Sequence, residues 1–558
     1  MGLVIYNLIC IFTKNNGVTM AFLRTEKKSS GTYLRIVESY RDDKGKTRHK
    51  TLYNLGKAED YSAKTLRKMG QMLIKLSGIE TRQTTGSVTE LSRINYGFPQ
   101  VYHRLMQHYN LDRILNNIEN RQQLSYPLYK TILLMLIERL NDPCSKLANF
   151  SHIDEYTGFE GIQLHNLYRG LDQLSENQGL IQEVIYSKGR HLFNQKLDVV
   201  FYDVTTFYFD SEKEDGFRIQ GYSKDGKIGK SVIVFGLLID KDKNPVGYNI
   251  YRGGFYEGHS FKDALKKQKN EYEIEKVITV ADRGMMSRGN IDSVENEAGY
   301  EYIIGERLKT LPKKIKEKIL DLNTYKDLEI KSEDGNETIK IKYSIVNYEG
   351  KRFITTYSSK RAAKDRYDRE KRIGKGLAMM STPSAIDKKA RRNYLKRTDN
   401  GKYEQDIDKT EADARYDGLA CIATNNNEMP VDEVLSAYKQ LYKIEQTFRT
   451  FKSYLETRPM FHWTQKRIEG HLCICYIAFT MLNYLCNRLK REGIKLSEKK
   501  IRDTLSKMQL SLLDNDGEKM YLRSNLNDEM KQILKVLKLK RIPDVIINDS
   551  LSDYISIA

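Results

Sequence analysis

The hydrophobic pattern of this chain changes near residue 197, and that change constrains its fold more than any other feature. Strand-like apolar runs follow one another from there: DVVFYDVTTFYF, SVIVFGLLID, PVGYNIYRG, KVITVADRG and YEYIIGE. A helical pattern precedes each of the last two runs. Three neighbouring strands followed by helix–strand pairs are typical of an α/β sheet with mixed connections.

Patterns on either side divide the rest of the 558 residues into regions. Before residue 196 they predict a hairpin and then helices, and after residue 306 a hydrophilic, basic stretch interrupts the sheet. The predicted regions are a leader or over-long start (1–19), a hairpin and α-rich region (20–195), the sheet core (196–305 and 417–485), a β-rich basic insertion (306–416) and a helical C-terminal region (486–558).

Charge and cysteine content restrict the partners and the compartment. Lys and Arg total 93 against 74 Asp and Glu, which gives a formal charge of +19 and indicates a polyanion, foremost nucleic acid. A merely basic protein without such a partner stays the alternative. The six cysteines form no C-x-x-C pair, so we expect a reducing cytoplasm. No apolar run reaches about 18 residues, so we expect no membrane span.

Two aspartates lie where a charge is costly. Asp203 interrupts the apolar run of the first sheet strand, and Asp282 directly follows the short strand of KVITVADRG. A buried charge needs a partner or a metal, and a carboxylate at a strand's carboxyl end faces the crevice where ligands bind. Taken singly, Asp203 also fits an Asp paired to a lysine, and Asp282 fits a helix cap or turn.

A third carboxylate lies on a helix predicted over residues 431–455. Apolar residues recur there at spacings of three and four: Leu441, Ile444, Phe448, Phe451 and Leu455. Tyr438, Glu445 and Lys452 are seven residues apart and follow the border of that stripe. A solvated Glu/Lys edge is the plainer interpretation. Two aspartates and this glutamate, however, form the oxygen-rich ligand set of a two-metal phosphoryl-transfer site.

The motifs YDVTTFYF and VADRGM, followed by the helix around Glu445, resemble the DDE transposases of bacterial insertion sequences. The resemblance is to the subgroup with a β-rich insertion before the Glu, and it covers about residues 195–490. It implies an RNase H-like core in which Asp203, Asp282 and Glu445 bind two Mg²⁺ ions, with Mn²⁺ able to substitute. It also implies cleavage at transposon ends, attack by the freed 3′-OH on target DNA, a homodimer in the synaptic complex and a place in the bacterial cytoplasm at the nucleoid. By the same resemblance, the hairpin and α-rich region (20–195) is expected to bind DNA.

The family's helix signature, Y-x2-R-x3-E-x6-K, is matched except at one position. Tyr438, Glu445 and Lys452 are in register, and the resemblance gives Tyr438 and Lys452 contacts to DNA near the cleaved phosphate. Leu441 replaces the Arg, so we expect Arg449 to supply that charge.

Further DNA contacts are predicted, each beside a structural alternative. Thr205 and Thr206 are expected near the terminal phosphate, or simply as strand residues. Trp463 is expected to stack on a base, or to pack on the surface. A nuclease or resolvase without strand transfer, and an inactive domesticated DNA-binding protein, are the competing functions.

Overall fold

The computed structural model of the chain has two compact units, residues 1–91 with 513–520 and residues 92–512 with 521–558. The structure describes residues 21–76, 88–193, 199–221, 226–255, 278–281, 291, 301–331, 338–378, 394–398, 403–515, 518–547, 551, 554–555 and 557. The predicted leader, residues 1–19, lies outside the described residues.

The first unit contains a three-stranded antiparallel sheet. Its strands are β1 (Ala21–Lys28), β2 (Gly31–Arg41) and β3 (Thr47–Lys57), in that order, and helix α1 (Ala63–Leu76) follows. The predicted hairpin corresponds to β2 and β3. Asp42 shapes its turn, because one carboxylate oxygen accepts bonds from the backbone of Lys44 and Lys46. Strand β1 escaped prediction because its sequence, AFLRTEKK, does not alternate.

Helices fill the second unit up to the central sheet. After a short strand, β4 (Thr89–Asn95), come α2 (Gly97–His108), α3 (Leu111–Gln122), α4 (Leu128–Asn141), α5 (Lys146–Ser151), α6 (Leu164–Glu176) and α7 (Gln178–Phe193). Helix α4 is apolar around most of its circumference, and it is accordingly buried on nearly every side.

Ten strands form the central sheet within the described residues. They are β5 (Val199–Tyr208), β6 (Ile219–Gln220), β7 (Ser231–Asp240), β8 (Pro245–Arg252), β9 (Ile278–Ala281), β10 (Glu301–Glu306), β11 (Lys326–Lys331), β12 (Thr338–Tyr348), β13 (Lys351–Tyr357) and, after a ribbon of β14 (Leu395–Arg397) and β15 (Tyr403–Gln405), β16 (Leu419–Thr424). Strand β5 pairs antiparallel with β7 and parallel with β9, so the chain is mixed α/β.

The predicted insertion differs from the structure in two respects. Its strands β11–β13 form no sheet of their own but extend the central sheet, because β16 pairs with β13 on one edge and with β10 on the other. It is also less β-rich than predicted. It holds the helices α8 (Lys313–Leu320), α9 (Ser359–Ala378) and α10 (Ile407–Ala414).

The C-terminal region is mixed and not purely helical as predicted. After the last helices of the predicted core, which are α11 (Val431–Lys439), α12 (Tyr442–Arg449), a π-helical turn (Thr450–Tyr454) and most of α13 (Gln465–Arg491), this region holds the helices α14 (Glu498–Ser506) and α15 (Asp528–Val536). The strands β17 (Gln509–Asn515), β18 (Glu518–Arg523) and β19 (Val545–Ile547) join β4 in a four-stranded sheet.

Helix α13 is the one described helix that is long and apolar enough to cross a bilayer, which its sequence had not indicated. Of its most apolar window, 83% is buried inside the protein, as in the core helix of a globular fold.

Alternate residues of β5 face two hydrophobic clusters. Phe201 and Phe207 belong to the larger cluster, which includes α12 and α13 residues. Tyr202 and Val204 belong to the cluster on the opposite face. Because side chains alternate along a strand, Asp203 is directed to the same face as the helices that follow the insertion.

Candidate active site

Asp203 lies in the middle of the sheet and at the edge of its larger core. On one side, Asp203 pairs with Leu237 of β7. On the other side, the preceding residue, Tyr202, pairs with Ala281 of β9. The carboxylate is partly buried, and its Oδ1 accepts a hydrogen bond of 2.7 Å from the backbone N–H of Val204. The rigid, paired strand therefore holds this carboxylate in one place.

The helix that carries Glu445 packs by the predicted stripe. Ile444, Phe448 and Phe451 are buried, and the ring of Phe451 lies 5.5 Å from that of Phe235 on β7. Glu445 is on the exposed side of the same helix. The apolar stripe thus sets the rotation of α12 and leaves its glutamate free to face the crevice.

The predicted continuous helix over 431–455 is wrong, because the helix is interrupted at Gln440 and Leu441. There, a backbone N–H donates to the carbonyl three residues earlier and not to the one four residues earlier. An example is the hydrogen bond of 3.2 Å from Leu441 N–H to the Tyr438 carbonyl. A π-helical turn then follows α12. The seven-residue spacing of Tyr438, Glu445 and Lys452 consequently does not place them on one straight face.

One cleft of about 310 Å³ brings most of the predicted residues together. Asp203, Thr205, Glu445, Arg449 and Lys452 all line it. Its other lining residues are Val204, Phe448, Ser453 and Arg458. Residues from the first sheet strand and from a helix more than 200 positions later therefore share one surface.

Three predicted residues, Tyr438, Thr206 and Trp463, do not line this cleft within the described part of the chain. Tyr438 lines a second, larger cleft of about 1090 Å³ between the insertion and α11, where its hydroxyl leaves no room for a Cβ at Gly305. Thr206 is buried on the face of β5 opposite Thr205, with Tyr202 and Val204.

Asp282 itself lies outside the described residues. The residue before it, Ala281, is the last described residue of β9 and pairs with Tyr202, the residue before Asp203.

Arg458 is a site residue that the sequence interpretation missed. It lines the cleft, and its guanidinium lies 5.6 Å from the ring centre of Tyr208 at the end of β5. The signal was the dense basic run RPMFHWTQKR directly after the glutamate helix. Trp463 is 58% exposed and lies outside the cleft lining given by the described residues.

The donor set of the cleft fits a divalent cation. Asp203 and Glu445 offer hard carboxylate oxygens from two rigid elements, and Thr205 adds a hydroxyl oxygen. Arg449, Lys452 and Arg458 surround these carboxylates with positive charge. Such a surface can accept both a cation and the phosphates of a polyanion.

Two family models match the chain. Residues 23–78 match the IS1634 family transposase N-terminal domain, and residues 194–481, more than half of the chain, match the transposase DDE domain. No curated protein matches it. The chain is also similar to one in the crystal structure of the Mos1 mariner paired end complex with Mn, at 14% identity over 43% of this chain and 72% of that one. The TM-score of 0.13 is too low for this likeness to carry an argument.

Proposed function

Because this chain belongs to the DDE transposases of insertion sequences, a family of nucleotidyl-transfer enzymes, we propose that it cleaves the ends of its own element and joins the freed 3′-OH to target DNA. The observation that carries this proposal is the meeting of Asp203 and Glu445 in one cleft. The order β8-β7-β5-β9-β10, antiparallel over the first three strands and parallel over the last three, supports an RNase H-like core around that cleft.

The carboxylates are the proposed metal ligands. Asp203 and Glu445, together with Asp282 by its place in the sequence motif, would hold two divalent cations, Mg²⁺ with Mn²⁺ as a substitute. Cations bound there would supply water activation and charge stabilisation at the scissile phosphate. The hydrogen bond from Val204 N–H orients the Asp203 carboxylate before any substrate arrives.

The cationic side chains of the cleft are the proposed phosphate contacts. Arg449 and Lys452 flank Glu445 along the helix, and Arg458 approaches from the segment beyond it. Because Leu441 replaces the signature arginine, we assign that charge to Arg449 and Arg458. Tyr438 lines the second cleft, so a DNA contact by its hydroxyl belongs to that surface and not to the cleaved phosphate.

The formal charge of +19 suits long duplex DNA, both the element's ends and the target, as the partner. Pairing of two ends implies a homodimer in the synaptic complex, and the expected place of action is the bacterial cytoplasm at the nucleoid. The burial of α13 favours a protein that does not insert into membranes.

The proposal is tested with the DNA that flanks the reading frame, the full-length protein and Mg²⁺. Asp203→Asn and Glu445→Gln should each lower the cleavage rate by about 10³-fold or more, since a lost ligand removes several kcal/mol of stabilisation. DNA binding, followed by the fluorescence anisotropy of a labelled end without metal, should stay within about threefold, because a neutral amide keeps the shape of the site.

Asp432→Asn and Glu433→Gln are the matched controls, since both carboxylates are exposed on α11. They should cleave as the wild type does. Cleavage at the wild-type rate by Glu445→Gln would remove α12 from the site. Cleavage without joined product would indicate the nuclease or resolvase, and end binding without cleavage would indicate the inactive DNA-binding protein.

A further inference from the structure

The end of strand β5 and the segment 458–463 form one surface beside the cleft. The backbone N–H of Met460 donates a hydrogen bond of 3.3 Å to the carbonyl of Tyr208, and Met460 forms an isolated β-bridge with Phe209. The cleft residue Arg458 begins this segment, and Trp463 ends it. The tryptophan is thus connected to the proposed catalytic cleft by a short backbone-bonded stretch.

The ring of Trp463 lies against the guanidinium of Arg218, which its own contacts hold in place. The Cζ of Arg218 is 5.0 Å from the tryptophan ring centre and 5.4 Å from the ring centre of Phe209, so the cation lies between two aromatic rings. The Nε of Arg218 donates a hydrogen bond of 2.8 Å to Asp215 Oδ2. The Arg218 side chain is only 7% exposed, which leaves it little freedom to move.

Arg218 also has an unused donor. Its Nη1 is buried and has no hydrogen-bond partner among the described residues. An unpartnered charged N–H costs free energy in the free protein. The opposite side of the platform is open, because Trp463 is 58% exposed although one of its faces rests on the cation.

Cations and rings continue from this platform to the cleft. The ring of Tyr208 has the guanidinium of Arg458 at 5.6 Å and the ammonium of Lys227 at 5.7 Å. Alternating aromatic and cationic side chains are the surface that unpaired nucleic acid prefers, because bases stack on the rings while phosphates meet the charges.

We propose that Trp463, supported by Arg218, is a stacking platform for an unpaired base of the DNA end next to the cleaved phosphate. The inference rests on the proposed function and names the form of DNA that the site takes. A paired base is already covered by its neighbours in the duplex, so only an unpaired or displaced base can present its face to the tryptophan.

The test uses the protein's own fluorescence, because Trp463 is its only tryptophan. Full-length protein without divalent metal is titrated with two end duplexes, one fully paired and one with three unpaired nucleotides at the cleavage position. Binding is followed in parallel by the anisotropy of a dye on the distal end. Stacking predicts strong quenching of the emission by the unpaired end and little by the paired one.

Substitutions give a second measurement. Trp463→Ala should weaken binding of the unpaired end by about tenfold and leave the paired end within about twofold, while Trp463→Phe should keep most of the affinity. Phe461→Ala is the matched control, since Phe461 is 63% exposed in the same segment. It should bind both ends as the wild type does, and circular dichroism verifies that each variant is folded.

Binding without quenching, or equal quenching by both ends, overturns the stacking platform and leaves the proposed function standing. An equal loss in Phe461→Ala also overturns it, because the effect would then belong to the segment and not to Trp463. Absence of any end binding by anisotropy overturns the proposed function, and this inference with it.

Discussion

Thr205 and Thr206 are neighbours on β5, and they show how far the site can be predicted from the sequence. Both follow Asp203, and both were expected near the terminal phosphate. Because side chains alternate along a strand, only Thr205 shares a face with Asp203, although the apolar residues on both faces of β5 do not themselves show which face borders the cleft. Both side chains are buried, but Thr205 lines the cleft and Thr206 faces the opposite core.

This difference gives a matched pair of substitutions. Thr205→Val removes a hydroxyl from the cleft without changing the side-chain shape, and we expect about a tenfold slower cleavage, the cost of one hydrogen bond near the reacting phosphate. Thr206→Val makes the same chemical change on the other face and should leave the cleavage rate within about twofold. Single-turnover rates with end DNA measure both. Equal effects of the two variants would contradict the assignment.

Of the three predicted carboxylates, Asp203 and Glu445 share one cleft, while Asp282 lies outside the described residues. Neither position is decisive by itself, because a paired Asp and a solvated Glu/Lys edge explain them as well. The set of carboxylates and the family resemblance together predict the site, and Asp203 and Glu445 both line the cleft. Arg458 was not assigned, because no periodicity links it to the helix before it. Its contribution depends on how the chain turns after the π-helical turn, which only the folded backbone determines.

Among the elements, the glutamate helix shows the limit of periodicity. The apolar spacing continues through Leu441, so the pattern gives no sign that the backbone bonds change there. The interruption leaves the apolar residues Ile444, Phe448 and Phe451 buried, so the hydrophobic pattern does not reveal it. It separates Tyr438 from Glu445, which a helical-wheel argument would place together.

Helix α13 packs against α6 through a glycine, and this contact gives a stability prediction. A Cβ at Gly470 would collide with backbone atoms of Leu171. These atoms cannot move aside as the end of a flexible side chain can. Gly470→Ala should therefore lower the free energy of unfolding by about 1–3 kcal/mol, as overpacking does. Urea unfolding followed by circular dichroism gives this value.

Gly374, on helix α9, is the control for that substitution. No atom outside its immediate neighbourhood lies within 4 Å of a Cβ built there, so Gly374→Ala should leave stability unchanged or raise it by up to about 1 kcal/mol. If both alanines act alike, then backbone propensity and not the contact with Leu171 determines the effect.

At the scale of the molecule, the fold class was predictable and the assembly of its regions was not. Consecutive apolar runs indicate a mixed sheet, but nothing in a single run tells which distant strand it will pair with. Strand β16 joins the insertion to the core through pairs such as Thr355–Cys421 and Glu306–Cys421, which are distant in sequence. Of the C-terminal strands, β19 has only three residues, which is too short for a clear pattern.

One large hydrophobic cluster connects helices of the amino-terminal region, the sheet and α13, and Lys146 on α5 is a buried charge beside it. Its ammonium donates to Asn149 Oδ1 at 2.8 Å, and Asn149 donates in turn to Glu138. Burial, and then the positive charge of Arg139, lower the pKa of Lys146 to about 7. An unfolded chain holds this proton up to a pKa of about 10.4.

The sign of the stability effect follows from these two pKa values. Between about pH 7 and 10 the unfolded state binds more protons at Lys146 than the folded state does, so the free energy of unfolding rises with pH over that window. From pH 7 to 9 the contribution is on the order of 2 kcal/mol.

Lys146→Met keeps the length of the side chain and removes the titration, so the stability of this variant should rise less with pH than that of the wild type. Lys313→Met, at a lysine that is 88% exposed, should follow the wild type. Thermal unfolding at pH 7, 8 and 9 compares the three proteins, and parallel curves for all three would show that Lys146 keeps its proton inside the fold.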